Sequence, residues 1–105
     1  MKQEQIERVI QIIAEEFDIT VEMLMSPRRT EIIVRARHTL YKTLNRLGLN
    51  KVETGRRIGK DHTSVINGLK VYRNLYDTDD NFRYRAKRVE TIVNQYIYIY
   101  EQTKE

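Results

Sequence analysis

The sequence predicts an all-α fold, a small helical domain that contains a helix-turn-helix and carries an extra C-terminal helix. Apolar residues recur at helical spacing along most of the chain. One proline and four glycines among 105 residues leave few breaks for strands and tight turns. The absence of cysteine excludes a disulfide framework, a thiolate metal site and a cysteine nucleophile, so the fold depends on packing.

Two helical segments are predicted in the first third of the chain. The first, at about residues 2–17, has its apolar residues on one face: Ile6, Val9, Ile10, Ile13, Ala14 and Phe17. A short helical turn follows at 22–25 and ends before Pro27, because proline disfavours helix in the residue ahead of it. Residues 27–30 have no apolar face and predict an exposed basic loop, with Thr30 as the N-cap of the next helix.

A long helix is predicted at 31–47 from a second row of apolar residues: Ile32, Ile33, Ala36, Leu40, Leu44 and Leu47. Gly48 follows the last leucine and suits the left-handed conformation that ends many helices. Asn50 and Glu53 have the chemistry of a capping box, so a short helix is expected from there to about Ile58.

A further helix is expected to begin after Asp61, a favourable N-cap, and to extend to about Tyr76. Gly59 ends the short helix ahead of it. Two helices joined by a glycine-containing turn of about three residues form a helix-turn-helix.

The last helix is predicted at 81–103, after a polar turn at 77–80. Residues 96–100, YIYIY, alternate like a strand, but a single strand would have no partner. Apolar residues of this helix follow the spacing of a coiled-coil seam: Phe82, Ala86, Val89, Val93, Tyr96 and Tyr100. We therefore separate a domain at 1–77 from a C-terminal helix at 78–105, which either packs back on the domain or forms a homodimer through residues 81–103.

Charge is distributed unevenly along the chain. Residues 1–27 hold two basic and six acidic residues, whereas residues 28–73 hold twelve basic and three acidic residues. The remainder is close to balanced, with five basic and six acidic residues. A basic module between acidic flanks is typical of a nucleic-acid-binding surface, although a solvated charged face is the simpler alternative.

The sequence offers little for catalysis or for a membrane. Glycine patterns of phosphate loops and dinucleotide sites are absent, the two histidines are not at metal-ligand spacing, and no set of serine, histidine and acid is suggested. His38 is interpreted as a surface or partly buried side chain. No apolar run approaches the roughly 20 residues of a membrane span. We therefore expect a soluble intracellular protein that is not an enzyme, holds no cofactor or metal, and does not bind a membrane.

The most informative segment is RRIGKDHTSVINGL at 56–69. If its helix begins at Asp61, then His62, Thr63 and Ser64 lie in the first turn, where a recognition helix meets base edges or phosphates. Lys60 and Arg57 beside this turn are suited to hold phosphates. Capping by Asp61 and backbone bonding by the hydroxyls are the structural alternatives, and both are compatible with DNA contact.

This segment resembles the C-terminal DNA-binding domain of the bacterial replication initiator DnaA. The family has a DHTT-like string preceded by a glycine and a basic residue, and the chain reads GKDHTS. Upstream, LMSPRRTEIIVRARHTLYKTL at 24–44 is similar to the family's leucine, serine and basic loop before a long helix. The resemblance covers about residues 3–76.

The resemblance implies roles for individual residues. In the major groove, it implies base contacts from Asp61, His62 and Thr63, and in the minor groove a base contact from Arg29. It also implies contacts with the DNA backbone from Arg28, Arg37, Lys60 and Ser64. Arg57 joins this set because of its place beside the turn. Surface solvation is the alternative for the arginines.

Three positions depart from the family pattern, and they bear on the target sequence more than on DNA binding. Gly59 stands alone where the family usually has two glycines, His38 replaces a glutamine, and Val71 replaces a lysine. A chain of 105 residues also leaves no room for the ATPase module that DnaA proteins carry.

We therefore expect sequence-specific binding of double-stranded DNA at sites resembling DnaA boxes, without ATPase, by a regulator of replication or transcription in the bacterial cytoplasm, at the nucleoid. The alternative is a helix-turn-helix module that binds proteins and regulates replication. The basic middle segment and the DHTS turn favour the DNA-binding hypothesis, because a module that binds only proteins has no need of them.

Overall fold

The computed structural model describes residues 1–103, which form an all-α fold. Its helices are α1 (Gln3–Glu16), α2 (Val21–Met25), α3 (Glu31–Arg46), α4 (Lys51–Ile58), α5 (His62–Thr78) and α6 (Asp80–Thr103). The predicted order of helices and the helix-turn-helix, formed by α4 and α5, are confirmed. Within residues 1–103, no helix is both long enough and apolar enough to cross a membrane.

Short polar side chains begin several of these helices. Thr20 Oγ1 accepts from the backbone N–H of Met23 at 3.0 Å, and Asn50 Oδ1 accepts from that of Glu53 at 2.8 Å. Both bonds satisfy a backbone donor that has no partner inside the helix. Thr30 occupies the predicted N-cap position of α3, but its side chain makes no capping bond.

The predicted polar turn at 77–80 is wrong, because only Asp79 separates α5 from α6. The Asp79 carboxylate accepts from the backbone N–H of Phe82 at 2.9 Å and lies 3.3 Å from the Arg35 guanidinium. Arg83 donates to the carbonyl oxygen of Tyr76 at 2.6 Å, across the junction. These bonds fix a sharp reversal and let each helix extend further than the polar residues indicate.

The C-terminal helix packs on the rest of the chain and shares its core. Phe82, Ala86, Val89 and Val93, which predicted a coiled-coil seam, are buried in one apolar cluster with residues of α1 and α3. At the surface, Arg88 pairs with Glu16 at 2.7 Å and the Tyr100 hydroxyl donates to Glu4 at 3.0 Å. Part of this helix therefore packs on the domain, and self-association through residues 81–103 stays a prediction.

Candidate nucleic-acid interface

A tight turn joins the two helices of the helix-turn-helix. Gly59 ends α4 with a φ of 72°, in the left-handed region that glycine adopts without steric cost. Gly55 lies directly under the turn, since a Cβ there would overlap the Lys60 carbonyl oxygen and approach the His62 nitrogen to 3.3 Å. The single glycine at position 59 is therefore sufficient to close the turn, and Gly55 allows it to sit against α4.

The structure presents the predicted reading residues together at the start of α5. Asp61, His62, Thr63 and Ser64 are all exposed, and the next residue, Val65, is completely buried. Asp61 caps the helix as predicted, its carboxylate accepting from the backbone N–H of Thr63 at 3.1 Å. The same oxygen lies 3.5 Å from Nδ1 of His62. Val65 thus anchors a turn whose polar side chains point to solvent.

The basic loop before α3 is exposed at Arg28 and Arg29, as predicted. Ser26 shapes its entry: its hydroxyl donates to the Met23 carbonyl at 2.7 Å and accepts from the Arg28 backbone N–H at 3.2 Å. The loop therefore has a defined conformation at the point where it leaves α2.

Arg37 lies under this loop and is nearly buried, with 7% of the residue exposed. Its Nε donates to the carbonyl of Leu24 at 2.9 Å, and a terminal nitrogen donates to the carbonyl of Ser26. Burial, and then the charge of Arg29, lowers the pKa of Arg37. Arg37 thus fastens the end of α2 to α3, and the contact with phosphate implied by the resemblance stays a prediction.

The other residues predicted to contact the DNA backbone differ in how far their side chains are exposed. Arg57 is turned toward the N-terminus, where it donates to the Met1 carbonyl at 3.1 Å and lies 3.7 Å from the Glu53 carboxylate. Ser64 and Arg28 are exposed, whereas Lys60 is half-buried. Arg57, like Arg37, uses its guanidinium within the protein, so its phosphate contact also stays a prediction.

The basic loop and α5 both pack on α3, through the Arg37 bond to Ser26 and the close approach of Gly68 to Tyr41 and His38. The charge of Arg37 lowers the pKa of Lys60, after the larger effect of burial, and the charge of Arg29 lowers the pKa of Arg37. Arg28 and Arg29 are exposed, and within residues 1–103 neither forms an ion pair. Uncompensated cations so placed raise the local potential and favour an anionic partner.

Two residues behind this surface were not recognised from the sequence as part of the site. A Cβ on Gly68 would lie 2.5 Å from Cδ2 of Tyr41 and 2.8 Å from Cδ2 of His38, so this glycine lets α5 approach α3 closely. Nδ1 of His38 is buried without a hydrogen-bond partner among residues 1–103. The signal available was a glycine in the middle of a helical pattern.

Acidic and histidine side chains form no metal site in the part of the chain that is described: residues 1–103 contain no group of three or more with suitable placement.

Comparison with known proteins agrees with this geometry. The family described as "Bacterial dnaA protein helix-turn-helix" matches residues 6–71. A chromosomal replication initiator protein DnaA from Thermomicrobium roseum is 32% identical over 79 residues, 73% of this chain and 17% of that protein. Those from Agrobacterium fabrum and Ureaplasma parvum are 27% and 29% identical over 90% of this chain, and 20% and 21% of their own lengths. The chain thus spans about a fifth of these relatives.

Proposed function

Because this chain belongs to the family of bacterial DnaA helix-turn-helix domains, we propose that it binds double-stranded DNA at specific sites resembling DnaA boxes. Domains of this family bind DNA and have no catalytic activity. One observation carries the finer proposal: the exposed DHTS turn and the exposed basic loop are held on the same helix, α3. Gly68 of α5 lies against Tyr41 and His38, and Arg37 bonds to Ser26 just ahead of the loop. That arrangement supports the proposal that the two elements contact two neighbouring grooves of the DNA.

The recognition turn reads bases in the major groove. The imidazole of His62 and the hydroxyl of Thr63 are short and directional, so a change of base pair alters their hydrogen bonds. Asp61 contributes its remaining acceptor capacity while it caps α5. Ser64 and Lys60 meet the backbone and set the register of the turn.

The basic loop enters the minor groove next to that site through Arg29. A narrow A/T-rich minor groove concentrates negative potential and attracts arginine. Arg37 acts indirectly in this proposal, because its bonds to Leu24 and Ser26 hold the segment from which the loop emerges. Arg28 lies on the same exposed segment and meets phosphate.

We further propose a role in replication initiation or its regulation, at the bacterial nucleoid, on the strength of the relatives' names. Self-association through residues 81–103 stays a prediction, and the apolar surface left for it is smaller than the sequence indicated. Four of the six seam residues are buried, and Tyr96 and Tyr100 are half-buried. The large apolar side chains exposed there are Tyr84, Tyr98 and Ile99, at 67%, 65% and 59%. Mass measurement in solution at micromolar concentration tests it, and a monomer would contradict it.

Titration with a duplex carrying a DnaA-box-like site and with a random duplex, at several salt concentrations, tests the proposal. Neutralisation of about five to eight phosphates predicts that log affinity falls with log salt at a slope of roughly −4 to −7. A flat response would contradict DNA binding by the basic surface.

Alanine variants separate base reading from backbone contact. His62→Ala or Thr63→Ala should lose about 1 to 3 kcal/mol on the specific site and little on random DNA. Lys60→Ala should weaken both equally, and Arg29→Ala should reduce the preference at an adjacent A/T-rich position. Lys87→Ala, an exposed cation on α6, is the control. Equal losses of the first four variants on both duplexes would refute these residue roles.

A further inference from the structure

A second basic feature of the molecule is a groove along the C-terminal half of α5. It has a volume of about 730 Å³ and is bounded by α3, the start of α4, α5 and α6. Lys70, which lines it, is six residues beyond Ser64, or about 9 Å along the helix axis. The groove therefore lies beside the recognition turn but does not include it.

The rim of the groove carries cations without partners. Lys42, Lys51, Lys70 and Arg73 are exposed, and within residues 1–103 they form no ion pair. Glu90, one of the two acids lining the groove, lies 3.8 Å from Arg46. The rim is thus strongly positive, and it attracts carboxylates or phosphates.

The floor of the groove is apolar. Ile66, Leu69 and Tyr72 are half-buried, and Tyr72 stacks on Tyr76 with ring centroids 5.8 Å apart. A DNA backbone has no apolar face to pack on this floor, whereas Glu90 and Asp77 disfavour phosphates and carboxylates alike and do not decide between them. An apolar floor within a cationic rim complements a ligand that carries apolar and acidic groups on one face.

The acidic face of a second copy fits this groove less well. The exposed face of α1 carries Glu4, Glu7, Gln11 and Glu15, and it offers no large apolar side chain for the floor. An amphipathic helix supplies both features, since residues at i, i+3, i+4 and i+7 share its apolar face and acids can flank them.

We propose that this groove binds an acidic amphipathic helix of a protein partner. Its apolar side chains lie over Ile66, Leu69 and Tyr72, and its carboxylates face the four unpaired cations of the rim. The proposal does not rest on DNA binding, because none of the proposed base-reading residues lines the groove.

The test uses the full chain, labelled with 15N, and a synthetic helical peptide with leucines at i, i+3, i+4 and i+7 flanked by glutamates. A peptide of the same composition with scrambled order is the ligand control. We expect one peptide per chain, with amide shifts concentrated at Ile66, Leu69, Lys70 and Arg73. The scrambled peptide should produce no comparable shifts, because it cannot present both faces at once.

Charge reversal then identifies the surface. The double variant Lys70→Glu with Arg73→Glu should weaken peptide binding at least about tenfold, because two attractive pairs become repulsive. The matched control, Arg8→Glu with Lys87→Glu, makes the same change in net charge on exposed residues outside the groove and should bind as the unaltered chain does. Circular dichroism verifies that both variants are folded.

Three results would overturn the proposal. The first is the absence of amide shifts at about millimolar peptide, where even a weak complex forms. The second is displacement of the peptide by a random DNA duplex that shifts the same amides, which would make the groove a phosphate surface. The third is concentration-dependent shifts at the same amides in the protein alone, which would identify a second copy as the occupant.

Discussion

Replacement of Gly68 by alanine tests whether the close approach of α3 and α5 positions the recognition helix. In the interior of a helix, this change ordinarily stabilises by about 1 kcal/mol, because alanine is the better helix former. Here the new methyl would lie 2.5 and 2.7 Å from two ring carbons of Tyr41 and 2.8 Å from one of His38. Ordinary contacts begin at 3.4 Å, so either the two rings must shift or the helices must separate.

The magnitude follows from comparing these two effects. Overpacking a close-packed interior costs roughly 1 to 3 kcal/mol, and the upper end applies because Tyr41 is 3% exposed and has little room to move. After the gain in helix propensity, Gly68→Ala should lower the free energy of unfolding by about 2 kcal/mol. Affinity for specific DNA should fall as well, because α5 shifts relative to α3 and the basic loop.

Urea denaturation followed by circular dichroism measures the free energy of unfolding. Thr91→Ala, at an exposed position within α6, is the control and should stabilise by a few tenths of a kcal/mol. Tyr41→Leu combined with Gly68→Ala should lose less than the sum of the single variants, because the smaller side chain relieves the overlap. A Gly68→Ala protein as stable as the unaltered chain would refute the reasoning.

Three further predictions concern buried groups. Arg37→Met should destabilise the chain by about 3 kcal/mol in urea denaturation, because two carbonyls at the end of α2 lose a charged donor, and an unchanged midpoint would contradict this. Burial, and then the charges of Arg37 and Arg29, lower the pKa of His38 from 6.5, so the unfolded chain binds this proton more readily than the folded chain does. The free energy of unfolding should therefore fall as the pH drops from 6.5 through the folded pKa. In a pH series of denaturation curves, His38→Gln should flatten that fall, unlike the exposed-site control His62→Gln. Val89→Ala in α6 should cost about 2 kcal/mol and Ile99→Ala almost nothing, and equal effects would show that α6 does not belong to the core.

Local sequence determined the helices and the turn of the candidate site. Apolar spacing predicted the buried face of α1 and much of that of α3, where Ile32 is 39% exposed. The caps at Asn50 and Asp61 satisfy donors only two or three residues away. Gly59 adopts its positive φ because the chain must reverse there within a few residues. Interactions at such short separation are encoded in the order of residues, so they were predictable without the structure.

Tertiary structure decided how the charged side chains are used. Two arginines expected to contact phosphate are engaged within the protein. Arg37, expected from the family resemblance, bonds to carbonyls 11 and 13 residues away, and Arg57, expected from its place beside the turn, bonds to Met1, 56 residues away. No periodic pattern in the sequence predicts a hydrogen bond between residues so far apart along the chain. Arg28 and Arg29 remain exposed because their loop has no apolar face to bury.

The position of α6 also depends on tertiary packing and not on its own sequence pattern. A heptad pattern specifies that a helix has an apolar face, and the same pattern serves a second copy of the chain or the chain's own core. Here α1 and α3 leave an apolar surface that Phe82, Val89 and Val93 cover, and Asp79 reverses the chain sharply enough to place them there. Apolar burial has no direction along the sequence, so only the assembled helices determine which surface each one meets.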